Sequence, residues 1–222
     1  MPPTAKRVSK PASQRRTEIL DAAHSLFITK GIQATSVEDI LTEVGIAKGT
    51  LYYHFSSKDD ILRSLVERTT ARVSAQAQAV ADSPMPAIPK FLAVMAAARA
   101  EDSEIALAAE LHTTGHDEFH LMSILGTIRA LTPILVGVVE EGIAEGSFTT
   151  DHPREVIEII LTAAGMLLDT GIFIGEEDQI PRRTAGLIHA AEVLLGTQPG
   201  ALAQAMEGVE GIEGMQGMEG SA

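Results

Sequence analysis

Along nearly the whole chain apolar residues recur three and four positions apart, and no segment alternates apolar with polar as a strand would. β-Branched runs are short, so a sheet has nothing to be built from. From Gln14 to Lys30 the repeat is carried by Ile19, Leu20, Ala23, Leu26 and Phe27, and Gly31 follows where helices commonly end. Thr35-Ser36-Val37-Glu38 reads as a capping box, the Thr hydroxyl and Glu carboxylate satisfying orphan amides. The helix it opens buries Val37, Ile40, Leu41 and Val44 and stops at Gly45. A short helix over 48–54 follows. A fourth opens at Ser57, with Ile61, Leu62, Leu65 and Val66 in phase, and continues to Ala81. Ser83-Pro84-Met85-Pro86 then punctuates the chain. Beyond it the pattern predicts helices at 86–99, 102–113, 117–145, 153–174 and 180–195. The expected class is all-α: a three-helix helix-turn-helix head and a larger helical body.

Composition narrows the functions open to such a chain. Among its 222 residues there is no cysteine, which removes disulfide scaffolds, thiol nucleophiles and Cys-ligated metals. There is no asparagine and so no N-glycosylation site. The basic N-terminus lacks the apolar core of a secretory signal. The most apolar stretch, Leu121 to Val139, carries Arg129 and Pro133 and suits a bundle helix better than a membrane span. A soluble, cytoplasmic protein is expected. No nucleophile elbow, phosphate-binding glycine loop, HExxH or dinucleotide fingerprint occurs, so no enzyme is expected and no cofactor is implied. The net charge of −13 hides an asymmetry: residues 1–72 hold eleven Lys/Arg against eight Asp/Glu, and the remainder six against twenty-two. A basic end on an acidic chain points to a polyanionic partner or to a solubilising tail.

Residues 35–58 decide between them. Two short helices, 37–44 and 48–54, joined by Gly45-Ile46-Ala47, have the spacing of a helix-turn-helix. On the second, Leu51 and Phe55 are four apart and face the core with Ile40 and Val44. Gly49, Thr50 and Tyr53 then point away from it, with Tyr52 and His54 on the shoulders. Solvation would favour Glu, Lys or Gln there. A major groove suits this face: Gly49 permits close approach, Thr50 and Tyr53 reach base edges, and Tyr52 and His54 reach phosphates. Lys48 and Lys58 sit in first turns, where the helix dipole disfavours cations, unless a phosphate lies there.

The run TSVEDILTEVGIAKGTLYYHFSSKDDIL resembles the DNA-binding region of the TetR family of bacterial transcriptional repressors, and ILDAAHSLFITKGIQA resembles that family's first helix. The likeness is dense over residues 14–66. It implies a homodimer that binds a double-stranded DNA operator through the head and a small-molecule inducer through the body. By motif position the implied DNA contacts are Thr35, Ser36, Ala47, Lys48, Gly49, Thr50, Tyr52, Tyr53, His54 and Lys58. Ala47 departs from the Ser or Thr common in the family at the recognition-helix cap.

EEGIAEGSFTTDHPREVIEIILTAAGMLLD resembles the family's passage into its dimerising helices, which implies that 153–174 and 180–195 pair with their copies in a four-helix bundle. Pocket candidates on the central helices are Met95, Leu107, Leu111, His112, Phe119, His120, Met122, Leu125, Arg129, Met166 and Asp169. Arg129 and Asp169 either orient a polar ligand group or form ion pairs. His112, His116 and His120, spaced by four, leave open a metal-sensing repressor or, remotely, a metal-dependent hydrolase. Thr113-Thr114-Gly115 interrupts that series, and the preferred reading has no metal. The expected layout is a disordered basic arm over 1–13, the head over 14–56, a connecting helix over 57–82, the ligand-binding and dimerisation domain over 83–198, and a disordered Gly-rich tail over 199–222.

Overall fold

The computed structural model describes residues 11–98, 107 and 117–206. Of the described residues 78% are helical, and no strand occurs among them. It divides into two compact units, one comprising residues 1–68 with 102–120, the other 69–101 with 121–222. The cuts at 68/69 and 120/121 both fall inside helices.

The first unit contains α1 (Ala12–Lys30), α2 (Val37–Val44), α3 (Lys48–His54) and the opening of α4 (Lys58–Ala81). Its core is formed by Ile19, Leu20, Ala23, Phe27, Ile32, Ile40, Leu51, Phe55, Ile61, Leu62 and Leu65, all buried. All but Ile32, in the turn after α1, and Phe55, the C-cap of α3, come from the apolar stripe of a helix, and burial of that stripe is what stabilises helices as short as α2 and α3. Polar ties run from α1 to α4: Arg68 pairs with Asp21 at 2.6 Å and Arg16 donates to the Ser64 hydroxyl at 2.8 Å. The Arg16 guanidinium also lies 4.9 Å over the Phe55 ring.

The entry to α2 differs from the expected capping box by one residue. Ser36 is the N-cap, accepting from the Asp39 amide at 3.1 Å, and Asp39 accepts from the Ser36 amide at 2.8 Å. The Thr35 hydroxyl turns the other way and donates to the carbonyls of Gly31 and Leu26, at 2.7 and 3.2 Å. At α4, Ser57 is the cap, accepting from the Asp60 amide at 3.1 Å.

The second unit is built from the remainder of α4, α5 (Ala87–Ala97), α6 (Asp117–Glu145) from Leu121 onward, α7 (Pro153–Leu167) and α8 (Ile180–Leu195), with a 3-10 turn at Glu177–Gln179. Leu131, Ile134, Leu135, Val138 and Val139 bury one side of α6 against Phe91, Val94, Phe148, Ile157, Ile160 and Leu195. α6 is long and apolar enough to cross a membrane by length and composition, but those five residues place it in a core. α5 has Pro86 at its N-cap and no capping side chain of its own; the Glu145 carboxylate accepts from the Ala87 amide at 3.1 Å instead. Lys90, buried on α5, donates to Glu141 at 2.6 Å.

Two expectations for this unit are corrected. The helix expected over 153–174 ends at Leu167, because the Asp169 carboxylate captures the amides of Gly171 and Ile172 at 2.8 and 3.1 Å. Residues 201–206, placed in the expected disordered tail, are helical, with Leu202 buried. The buried Glu192 carboxylate caps this turn, accepting from the amides of Gly200 (2.9 Å), Leu202 (2.9 Å) and Ala203 (3.3 Å). The helix expected over 102–113 lies outside the described residues except for Leu107.

Candidate nucleic-acid interface

Gly45 adopts the left-handed conformation, φ +68°, and closes α2 by donating to Leu41 O at 2.9 Å. The neighbouring Ile46 amide donates to the same carbonyl at 3.1 Å, and the chain turns directly into α3. A residue with a Cβ would be strained at that φ, so the turn requires glycine. The N-cap of α3 is Ala47, whose backbone is extended and which offers no side-chain cap; the Ala47 carbonyl accepts from the Thr50 amide at 2.9 Å.

Leu51 and Phe55 are buried beside Ile40, as the helical wheel requires, whereas Val44 is only half-buried. The opposite face is open. Tyr53 is 78% exposed and Tyr52 46%, far above what aromatic rings usually show in a monomer. Gly49 is exposed, and a Cβ built on it would meet nothing within 4 Å. Thr50 and His54 are half-buried, with the His54 ring 4.9 Å from Tyr53 in an edge-on contact. α3 thus presents two phenol groups, an imidazole, a hydroxyl and a bare stretch of backbone, all hydrogen-bonding partners for base edges and phosphates.

The cations around this face already have partners. Lys48 pairs with Glu38 at 3.3 Å across the motif and lies 5.8 Å over the Tyr52 ring. Both partners are exposed, so the pair is weak and exchangeable for a phosphate. The Glu38 carboxyl is held below its usual range by hydrogen bonding, Lys48 included. Lys58 donates to two main-chain oxygens, Ile32 O at 2.8 Å and Thr35 O at 3.3 Å. Lys30, at the end of α1, pairs with Asp39 at 2.6 Å, which with Ser36 drives the Asp39 carboxyl far below its usual range. Ser36 and Ala47 are exposed. Thr35 is 1% exposed and its hydroxyl is committed inward, so its side chain is removed from the candidate contacts. Sequence reasoning missed the roles of Arg16 and Lys30. Their partners are distant in the chain or one of several equivalent acids, and no local pattern marks them.

The expected ligand residues are scattered. Leu107, Phe119 and His120, in the first unit, are buried. In the second, Met95, Met122, Met166 and Asp169 are half-buried, and Leu125 and Arg129 are exposed. Leu111, His112 and His116 lie outside the described residues. A cleft of about 350 Å³ opens between α4 and α6, lined by Ser74, Gln78, Ala81, Asp82, Ala130, Pro133, Ile134, Gly137, Val138 and Glu141, none of them an expected pocket residue. Among the described residues no group of three or more His, Cys, Asp or Glu could hold a metal ion.

Comparison with known proteins agrees with this geometry. Residues 19–65 match the model of bacterial regulatory proteins of the tetR family, and residues 99–188 that of the tetracyclin repressor-like C-terminal domain. The transcriptional repressor KstR2 of Rhodococcus jostii is 33% identical over 161 residues, covering 70% of this chain and 78% of that protein. KstR2 of Mycolicibacterium smegmatis is 27% identical, covering 67% of this chain and 74% of that protein. Among solved structures, Salmonella enterica GusR superposes with a TM-score of 0.59 at 20% identity, covering 86% of this chain and all of that one. A TetR-family regulator from Mesorhizobium loti does so with a TM-score of 0.59 at 18% identity, covering 84% and 98%. At these identities the structural likeness shows the fold. The sequence relatives show more, and on their evidence the chain belongs to the TetR family of bacterial transcriptional regulators.

Proposed function

We propose that the protein is a ligand-responsive repressor that occupies a pseudo-palindromic operator as a homodimer and leaves it when a small molecule binds the body. The observation that carries the reading is the face of α3 formed by exposed Gly49, Tyr52 and Tyr53 with half-buried Thr50 and His54 at its sides, backed by buried Leu51 and Phe55. In this reading Tyr53 and Thr50 meet base edges, Gly49 allows the backbone close, and Ser36, Ala47, Lys48, Tyr52 and His54 meet phosphates. Lys48 exchanges Glu38 for a phosphate oxygen on binding.

The homodimer is supported by apolar side chains left open on α7 and α8, Ile159, Leu167 and Val193, and by Ile174 in the connection between them. Soluble monomers rarely leave such a surface uncovered. A ligand releases DNA if it favours a body conformation in which the two heads are wrongly spaced, since it can shift the equilibrium only by its differential affinity. The flexible side chains of Met95, Met122 and Met166 are the proposed ligand contacts. The Asp169 carboxylate is engaged with its own loop.

The test is to pass sheared chromosomal DNA over the purified protein, sequence what is retained and footprint it. The reading requires a protected inverted repeat whose half-sites lie on one face of the duplex, one or more helical turns apart. Retention without sequence enrichment would remove it.

A further inference from the structure

We propose that Lys58 is a positioning residue for operator discrimination, holding α2 and hence α3 at the angle that reading bases requires; the proposal rests on the DNA-binding reading above. Lysine in the first turn of α4 opposes that helix's dipole, so its ammonium needs acceptors. The sequence alone suggests a phosphate. The structure supplies two carbonyls, those of Ile32 and Thr35, at 2.8 and 3.3 Å, both in the connection between α1 and α2. An ammonium has three donors, and two are used here.

The Thr35 carbonyl belongs to the peptide group that enters α2. Its amide side is the Ser36 N–H, which donates to the Asp39 carboxylate at 2.8 Å. One peptide plane is therefore gripped from both edges, by Lys58 on the oxygen and Asp39 on the nitrogen. Asp39 is in turn fixed by Lys30 at 2.6 Å, and the preceding Thr35 side chain is locked inward on Gly31 O and Leu26 O. The orientation of that plane sets the direction in which α2 leaves the connection. α2 passes through three residues into α3, so a rotation at Thr35–Ser36 swings the Tyr53 face. Lys58 thus couples the start of α4 to the tilt of α3 through main-chain atoms, which any residue at 32 and 35 would offer. The coupling is invisible to a reading of side-chain motifs.

Removing a phosphate contact and removing a positioning contact have different signatures. A phosphate contact contributes equally on all sequences and to the salt dependence, whereas a misaimed α3 loses its advantage on the operator alone. The probe is an operator selected from random-sequence DNA by the wild-type protein, with a scrambled duplex of equal length and composition as reference. Lys58→Met keeps the stem and removes the donors; Lys58→Arg keeps donors and charge. Lys58→Met should lower the operator-to-scrambled affinity ratio by about tenfold, the worth of one good base contact. Its salt slope on scrambled DNA should equal that of wild type, and Lys58→Arg should restore most of the ratio. Asp39→Ala releases the other edge of the same peptide, should lose the ratio likewise, and stands in should Lys58→Met not fold. A Lys58→Met protein that keeps its ratio while its slope shrinks by about 0.9, one phosphate contact, would overturn the proposal. So would an unchanged ratio in both Lys58→Met and Asp39→Ala. If wild type selects no sequence at all, the DNA-binding reading itself fails, a result separate from either.

Discussion

Two glycines of α6, five residues apart, should respond to the same substitution with opposite sign. Alanine in a helix interior is favoured over glycine by about 1 kcal/mol, because glycine loses more backbone entropy on folding. At Gly137 a Cβ would meet nothing within 4 Å, so Gly137→Ala should gain roughly that amount. At Gly142 an added Cβ would lie 2.1 and 2.5 Å from Cδ2 and Cε2 of Phe148 and 2.9 Å from Cβ of Ala87. The Phe148 ring is buried and packed edge-on against Phe91, centroids 6.2 Å apart, so it has nowhere to retreat. Overpacking of this kind costs about 3 kcal/mol, and after the propensity gain Gly142→Ala should lose roughly 2 kcal/mol. For a chain of this size the melting temperature should rise by about 2–4 °C in Gly137→Ala and fall by about 4–8 °C in Gly142→Ala. Thermal unfolding followed by circular dichroism at one fixed protomer concentration reads both. Phe148→Leu placed on Gly142→Ala should recover part of the loss, since the two sites share one contact. A Gly142→Ala protein at least as stable as wild type would refute the packing argument.

Other contacts give further expectations. The amides of Gly200, Ala203 and Leu202, against the effect of burial, hold the Glu192 carboxyl below its usual range. Its stabilisation is therefore present above the ordinary value of about 4.3 and lost as pH falls below it, so Glu192→Gln should melt earlier than wild type at pH 7 and approach it in acid melts. Buried Lys90 relies on half-exposed Glu141, so Glu141→Ala should destabilise by about 2 kcal/mol in denaturant titrations, whereas replacing both by Met and Leu should be close to neutral. Val193 is 67% exposed on α8, and Val193→Asp should convert a species of about 47 kDa, twice the 23.5 kDa chain, into monomer by light scattering. A wild-type monomer at micromolar concentration would contradict the dimer.

What could be read from the sequence was whatever is decided locally. α2 and α3 lie where the apolar spacing puts them, because Gly45 ends one and the Leu51–Phe55 pair aims the other. The capping box slipped by one residue for a physical reason: Thr35–Glu38 and Ser36–Asp39 both satisfy the spacing. The choice fell to the end of α1, whose carbonyls take the Thr35 hydroxyl. The run after Leu167 stays apolar, so periodicity alone carries the helix onward; a short side chain, Asp169, stops it by capturing two amides. Lys58 was legible as misplaced but not as occupied, since its acceptors are main-chain atoms more than twenty residues away. Glu192 is the same kind of case, a charged residue on an apolar helix whose partners are amides of the following turn.

The central claim, that the exposed face of α3 reads sequence, is tested most directly by Tyr53→Ala. Tyr53 is 78% exposed, and its removal should leave the melting temperature of the head unchanged. Affinities for the selected operator and for the scrambled duplex are measured by fluorescence anisotropy at one salt concentration. The account predicts that Tyr53→Ala lowers their ratio by about tenfold or more, with affinity for scrambled DNA nearly preserved. Equal losses on both duplexes, or no loss on either, would contradict it.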